Sequence, residues 1–93
     1  MVIGILEVDV QLFYSNSLKD KRRIVKSLIA RLKNNFNISV SEVAYQNLWR
    51  KTKLGIAFLT MEEKFAQNVL SEIIRFIHKE KRISLTTSKM EII

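Results

Sequence analysis

A strict alternation of apolar and polar side chains runs through the segment Leu6-Glu7-Val8-Asp9-Val10-Gln11-Leu12. Because successive side chains of a strand point to opposite faces, this period of two predicts a strand over residues 2–13. Its buried face carries Leu6, Val8, Val10 and Leu12. Its open face carries Glu7, Asp9 and Gln11. A sheet with one apolar face needs a covering layer, and the following segments have the periodicity of helices.

The first of these helices is predicted from about Ser17 to about Asn35. Ser15-Asn16-Ser17 has the composition of a turn, and Ser17 and Asp20 have the spacing of a capping box. Apolar residues then recur at helical spacing. They are Ile24, Val25, Leu28, Ile29, Leu32 and Phe36. Lys21 falls inside this apolar arc, so we expect its ammonium group to pair with a carbonyl or a carboxylate.

The second half of the chain is predicted to contain three strands and one helix. Strands are expected at residues 38–44, 53–60 and 82–92, and residues 45–52 form a connection. The helix is expected to end near Lys79 and to begin with a second capping box formed by Thr60 and Glu63. Its predicted apolar stripe comprises Phe65, Val69, Ile73, Phe76 and Ile77.

The resulting order β-α-β-β-α-β predicts one ferredoxin-like α+β domain over residues 1–93. We expect a four-stranded antiparallel sheet of order 4-1-3-2, with both helices on one face. The predicted core comprises Leu6, Val8, Val10, Leu28, Leu32, Ile56, Phe58, Val69 and Ile73. A structure with the first strand at an edge of the sheet would contradict this topology.

Composition limits the classes of function. The formal net charge is +7, which favours attraction to polyanions. The chain has no cysteine, so disulfides, thiolate metal sites and cysteine nucleophiles are excluded. No apolar run approaches the ~18 residues of a membrane span, and the N-terminus lacks the basic region of a signal peptide. We therefore expect a cytoplasmic protein without a membrane partner.

The strongest functional signal is a basic face on the first helix. Its five cations fall within one arc opposite the apolar stripe, and they are Lys19, Arg22, Arg23, Lys26 and Lys33. Each can neutralise a phosphate. The alternative is a solvated helix surface that is basic by chance, although cations in a first helical turn oppose the helix dipole. We expect this face to bind nucleic acid.

A second basic segment spans residues 45–53, which are the connection and the first residue of the next strand. It interleaves Tyr45 and Trp49 with Arg50, Lys51 and Lys53. Aromatic rings among cations are typical of single-strand stacking sites. The same residue types dominate protein interfaces, and Trp49 could instead fold back as a lid on the sheet edge. All three roles for Trp49 stay open at this stage.

Catalytic groups are scarce. Glu7 and Asp9 lie two apart on the open sheet face, without a third ligand nearby, so we expect a solvated or salt-bridged pair with Lys89 as one possible partner. His78 is expected to play a structural role at the end of the second helix. Gly55 and Ala57 should leave the open face flat, and the lack of aromatic residues there disfavours RNA binding on the sheet. We expect no enzyme activity, no cofactor and no metal.

Several segments resemble the YlxP-like family of small, uncharacterised bacterial proteins. The resemblance rests on Ser17-Leu18-Lys19-Asp20-Lys21-Arg22-Arg23, on residues 37–43, on Leu48-Trp49 and on residues 54–57. Tyr45 and Asn47 stand where the family pattern has acidic residues. The resemblance implies a ferredoxin-like fold and carries no activity. Members are often encoded beside translation initiation and ribosome maturation factors, which implies a role related to RNA.

Together these features predict a non-enzymatic accessory factor that binds RNA or a ribosomal particle through the first helix. The alternative is a homodimeric protein-interaction module that docks an acidic partner through the basic helix and the Trp49 loop. Two β-rich edges, at residues 38–43 and 83–92, and the flat open face favour a homodimer.

Overall fold

The computed structural model describes residues 1–93. Its elements are β1 (Val2–Leu12), α1 (Leu18–Asn35), β2 (Ser39–Ala44), β3 (Lys51–Thr60), α2 (Glu63–His78) and β4 (Ile83–Ile92). All neighbouring strands pair antiparallel in the order β2-β3-β1-β4. This is the predicted order 4-1-3-2 read from the opposite edge, so the predicted ferredoxin-like fold is confirmed. Neither helix is both long enough and apolar enough to cross a bilayer.

One hydrophobic core lies between the sheet and the two helices. It contains 16 buried residues, contributed by β1, β3, β4, α1 and α2. Eight of the nine predicted core residues belong to it, and Val69 is half-buried at its margin. Gly4 lies under the ring of Phe58, because a Cβ atom at Gly4 would fall within 2.9 Å of three ring carbons. The buried face of β1 is therefore the one that the alternation of its side chains predicts.

The buried face of α2 differs from the prediction. Ala66, Leu70, Ile73 and Ile77 are buried, whereas the ring of Phe65 is 47% exposed. In the first half of α2 the buried stripe lies one residue later than predicted, because Ala66 and Leu70 continue at helical spacing into Ile73 and Ile77, which are buried as predicted. Phe76 lies at the core margin, in an edge-to-face contact with Phe36 at 5.7 Å between ring centroids.

The two helix N-termini also differ. Ser17 caps α1, because its Oγ accepts a hydrogen bond from the Asp20 amide at 3.0 Å. The Asp20 carboxylate accepts a hydrogen bond from the backbone N–H of Asn16 at 3.3 Å rather than from that of Ser17, so the capping box is only half formed. The predicted box at Thr60 and Glu63 was wrong. Thr60 is not the N-cap, because β3 continues through it and pairs it with Val2. Glu62 occupies the N-cap of α2 instead and makes no side-chain capping hydrogen bond.

Candidate nucleic-acid interface

The basic face of α1 is fully presented to solvent. Its five cations, Lys19, Arg22, Arg23, Lys26 and Lys33, are all exposed. The apolar residues on the opposite side of the helix, from Ile24 to Leu32, enter the core. Amphipathic packing therefore decides which cations face outward, and it places them in one row along the helix.

These cations are almost uncompensated. Arg23 alone forms an ion pair, a 3.4 Å contact with Asp20 in which the arginine side chain is 78% exposed. Four cations outside this face form the remaining ion pairs. Glu80 binds Arg31 and Arg82, Asp9 lies 3.7 Å from Lys53, and Glu42 lies 2.9 Å from Lys21. Four of the five ion pairs therefore lie outside the basic face of α1, which stays positive.

Lys21 is the exception on α1, since it is fully buried. Its Nζ donates to the carbonyl oxygen of Tyr45 and forms a 2.9 Å ion pair with Glu42 Oε2. The hydroxyl of buried Thr52 donates to the same carboxylate oxygen. The predicted pairing of Lys21 is therefore confirmed, with a carbonyl and a carboxylate serving together. This network ties the first turn of α1 to the β2–β3 connection.

The β2–β3 connection begins with a strained residue. Tyr45 has φ 63°, and it is the one non-glycine residue with positive φ. This conformation disfavours a bulky side chain. The Tyr45 carbonyl oxygen accepts hydrogen bonds from Lys21 Nζ and, at 3.1 Å, from the Leu48 amide. These two bonds hold the turn that presents Leu48 and Trp49.

In the second basic segment, residues 45–53, the cations already have partners within the protein. Arg50 donates from Nε to the Ser15 carbonyl at 3.0 Å and from Nη2 to Asn16 Oδ1 at 2.9 Å. The Lys51 ammonium lies 4.3 Å from the centroid of the half-buried Tyr45 ring, and the Lys53 ammonium lies at 5.6 Å. Arg50 therefore anchors the loop to the start of α1, and Tyr45 already has cations against its ring.

Trp49 differs from Tyr45 and Arg50 in its exposure to solvent. Its side chain is 54% exposed, so it does not seal the sheet edge as a lid. It lines a surface cleft of about 800 Å³ together with Leu48 and Arg50 of the same loop and Lys51 at the start of β3. Gln11, Asn16 and Thr86 complete the cleft. No sequence signal pointed to these three residues, because they come from three segments that only the fold brings together.

The open sheet face is balanced in charge. Asp9 pairs with Lys53 across β1 and β3, and Glu7 lies opposite Gly55 on one side and Lys89 on the other. Glu7 is exposed and forms no ion pair, so the two carboxylates are solvated at Glu7 and salt-bridged at Asp9, as expected. The partner is Lys53 rather than the suggested Lys89. No group of three His, Asp or Glu residues is arranged to hold a metal ion.

The open face is also less flat than predicted. A bulge in β2 between Glu42 and Ala44 brings Val43 over Gly55, where a Cβ atom on Gly55 would fall 2.9 Å from Val43 Cγ1. Val43 therefore fills the space that the glycine leaves. The flat part of the open face therefore lies near Ala57 and the neighbouring apolar residues of β1, not at Gly55.

Comparison with known proteins gives a family and a fold. A family model described as "Protein of unknown function (DUF503)" matches residues 3–90. The uncharacterized protein YlxP of Bacillus subtilis (strain 168) is 32% identical over 90 residues, which are 97% of this chain and 98% of that protein.

Two designed proteins share the fold. The chain aligns with the de novo designed protein LFR1 1, which has a ferredoxin fold, at 18% identity and a TM-score of 0.60, over 99% of this chain and 85% of that one. It aligns with the designed protein Foldit4 at 14% identity and a TM-score of 0.53, over 98% and 96%. Both similarities concern the fold alone.

Proposed function

The chain belongs to the DUF503 family of proteins of unknown function, and from that premise we propose that it is a non-enzymatic accessory protein that binds RNA or a ribonucleoprotein particle through α1. The proposal rests on one observation. The cations of the basic face are exposed and lie in a row, and all but Arg23 lack an acidic partner. A link to translation or ribosome maturation is the context that we favour.

The basic face is unfavourable for the isolated helix. Lys19, Arg22, Arg23 and Lys26 lie at spacings of three and four residues, where like charges destabilise a helix by about 0.2–0.5 kcal/mol per pair. Lys19 also lies in the first turn, where the helix dipole disfavours a cation. An anionic partner removes both penalties, because phosphates neutralise the row and release counterions.

Contacts of this kind position a protein on nucleic acid without reading bases. We therefore expect binding to be weakly dependent on sequence and steeply dependent on salt. Arg22→Gln combined with Lys26→Gln should weaken binding about equally for unrelated RNAs. The slope of log affinity against log salt should fall by roughly 1 to 2, because each lost contact to a single strand removes about 0.7.

Fluorescence anisotropy of labelled RNA at several salt concentrations measures both effects. The matched control is Lys64→Gln combined with Arg75→Gln, which removes two exposed charges from α2 instead. If net charge alone attracts RNA, both double variants lose the same affinity. Unchanged affinity and slope in the α1 variant would mean that its basic face is merely solvated, and the proposed function would be wrong.

The sheet supports a second candidate function, a homodimeric interaction module. The open face carries three carboxylates, Glu7, Asp9 and Glu91, and three ammonium groups, Lys51, Lys53 and Lys89. It is therefore neutral in a protein of net charge +7.

The far end of the open face is apolar, with Ile3 opposite Leu59, Ile5 opposite Ala57, and Ile93 beside Ile3. A second copy can approach this face without repulsion, whereas the face as a whole offers RNA no net electrostatic attraction. An acidic protein docking on α1 and the Trp49 loop is the competing form of this module, and binding that survives high salt would favour it.

A further inference from the structure

Trp49 has the only ring in the β2–β3 connection that is available to a partner. The other aromatic residue there, Tyr45, is half-buried and has Lys51 against its ring. Trp49 is 54% exposed and lines a cleft of about 800 Å³. Ligand sites commonly have volumes of about 300–1,000 Å³, so the cleft is large enough for a nucleotide.

The cleft combines a mostly apolar surface with polar groups, since five of its seven lining residues are polar. Leu48 and Trp49 are its two hydrophobic residues. The Asn16 amide oxygen already accepts a hydrogen bond from Arg50, which orients the amide and leaves its NH₂ group free to donate. Gln11 and Thr86 add groups that both donate and accept. An exposed aromatic ring with polar groups at its margin suits a flat heterocycle, which can stack on the ring and form hydrogen bonds at its edge.

The cleft adjoins the basic face. Asn16 lines the cleft and immediately precedes Ser17, the N-cap of α1. Arg50 joins the two regions, because its guanidinium binds both Ser15 and Asn16. The buried contacts of Lys21 with Glu42 and the Tyr45 carbonyl also hold the start of α1 against the β2–β3 connection. Two clusters that are far apart in the chain, residues 19–26 and 48–51, are therefore connected through residues 15–17 at the start of α1.

We propose that the Trp49 cleft binds one unpaired nucleobase of an RNA strand whose phosphates lie along the basic face of α1. This inference rests on the proposed function and specifies its ligand as single-stranded RNA. The base stacks on the Trp49 ring, and the amides of Gln11 and Asn16 contact its edge. Lys51 lies on the cleft wall, where it faces the phosphate of that nucleotide. Duplex RNA engages the basic face alone, because its bases are stacked within the helix.

Trp49 is the only tryptophan, so its fluorescence reports on this cleft without labelling. The protein is titrated with three ligands of equal length: single-stranded RNA, the same strand with abasic sugars, and duplex RNA. Anisotropy of the labelled RNA gives the affinity in parallel. We expect strong quenching with the single strand and little quenching with the other two ligands.

Variants separate the two parts of the surface. Trp49→Ala should weaken binding of the single strand about 5- to 150-fold, which corresponds to loss of one stacked base. It should leave binding of the abasic strand unchanged. Trp49→Phe should retain most of the affinity, and circular dichroism verifies that each variant is folded. The double variant Arg22→Gln and Lys26→Gln should weaken binding of all three ligands.

Two results overturn the inference in distinguishable ways. Equal affinity for the single strand and the abasic strand, without quenching, would eliminate the base site and leave the basic face as an RNA-binding surface. Absence of binding by all three ligands would eliminate the proposed function together with the base site. Binding of the single strand that Trp49→Ala does not weaken would also reject the cleft.

Discussion

At the scale of single residues, Lys21 is the side chain whose surroundings matter most. It is fully buried, and its ammonium group has two partners, Glu42 and the Tyr45 carbonyl. Removing one member of a buried ion pair leaves the other charge uncompensated, which destabilises a protein by about 3–5 kcal/mol. Glu42 retains 20% exposure, so we expect Lys21→Met to lower the free energy of unfolding by about 3 kcal/mol in urea denaturation.

Two controls accompany the Lys21 substitution. Lys26→Met removes an exposed lysine from the same helix and should change stability by less than about 0.5 kcal/mol. The double variant Lys21→Met with Glu42→Met should be less destabilised than the sum of the two single variants, because it removes both charges. Equal stability of the Lys21→Met and Lys26→Met proteins would show that the buried network is not a stabilising feature.

At the scale of elements, the two helices begin differently, and this difference is measurable. Ser17→Ala removes the Oγ that accepts from the Asp20 amide, and loss of such a cap typically destabilises a protein by about 1 kcal/mol. Thr60→Val keeps the branched side chain that suits β3 and removes a hydroxyl that caps nothing. We expect its unfolding free energy to stay within about 0.5 kcal/mol of the parent. A larger loss for Thr60→Val than for Ser17→Ala in thermal or urea unfolding would contradict these capping assignments.

At the scale of the whole molecule, the distribution of charge separates two surfaces. The helix layer carries the basic face of α1, and the open sheet face is neutral overall with an apolar end. The free edges are less suited to pairing than the sequence suggests, because both β2 and β4 contain a bulge and bulged edges resist strand addition. A dimer is therefore expected to use the open face, in a two-fold arrangement.

Leu59→Glu tests this arrangement. Leu59 is 64% exposed at the apolar end of the open face, so a carboxylate there should raise the dimer dissociation constant at least about tenfold. Phe65→Glu on α2 is the control, since Phe65 is similarly exposed but lies on the helix layer. Light scattering at high micromolar concentration measures both variants. A parent protein that is monomeric under these conditions would exclude the dimer.

The elements and the sheet order follow from local patterns in the chain. The period-two segment at residues 6–12 decided which face of β1 is buried, and the helical spacing of Ile24, Leu28 and Leu32 decided which cations of α1 face solvent. Both are local properties, because side-chain direction follows directly from backbone periodicity. The tertiary structure decided the buried stripe in the first half of α2, the anchoring role of Arg50 and the gathering of Gln11, Asn16 and Thr86 around Trp49. These depend on how closely elements approach and which distant segments meet, and no local pattern in the chain specifies either.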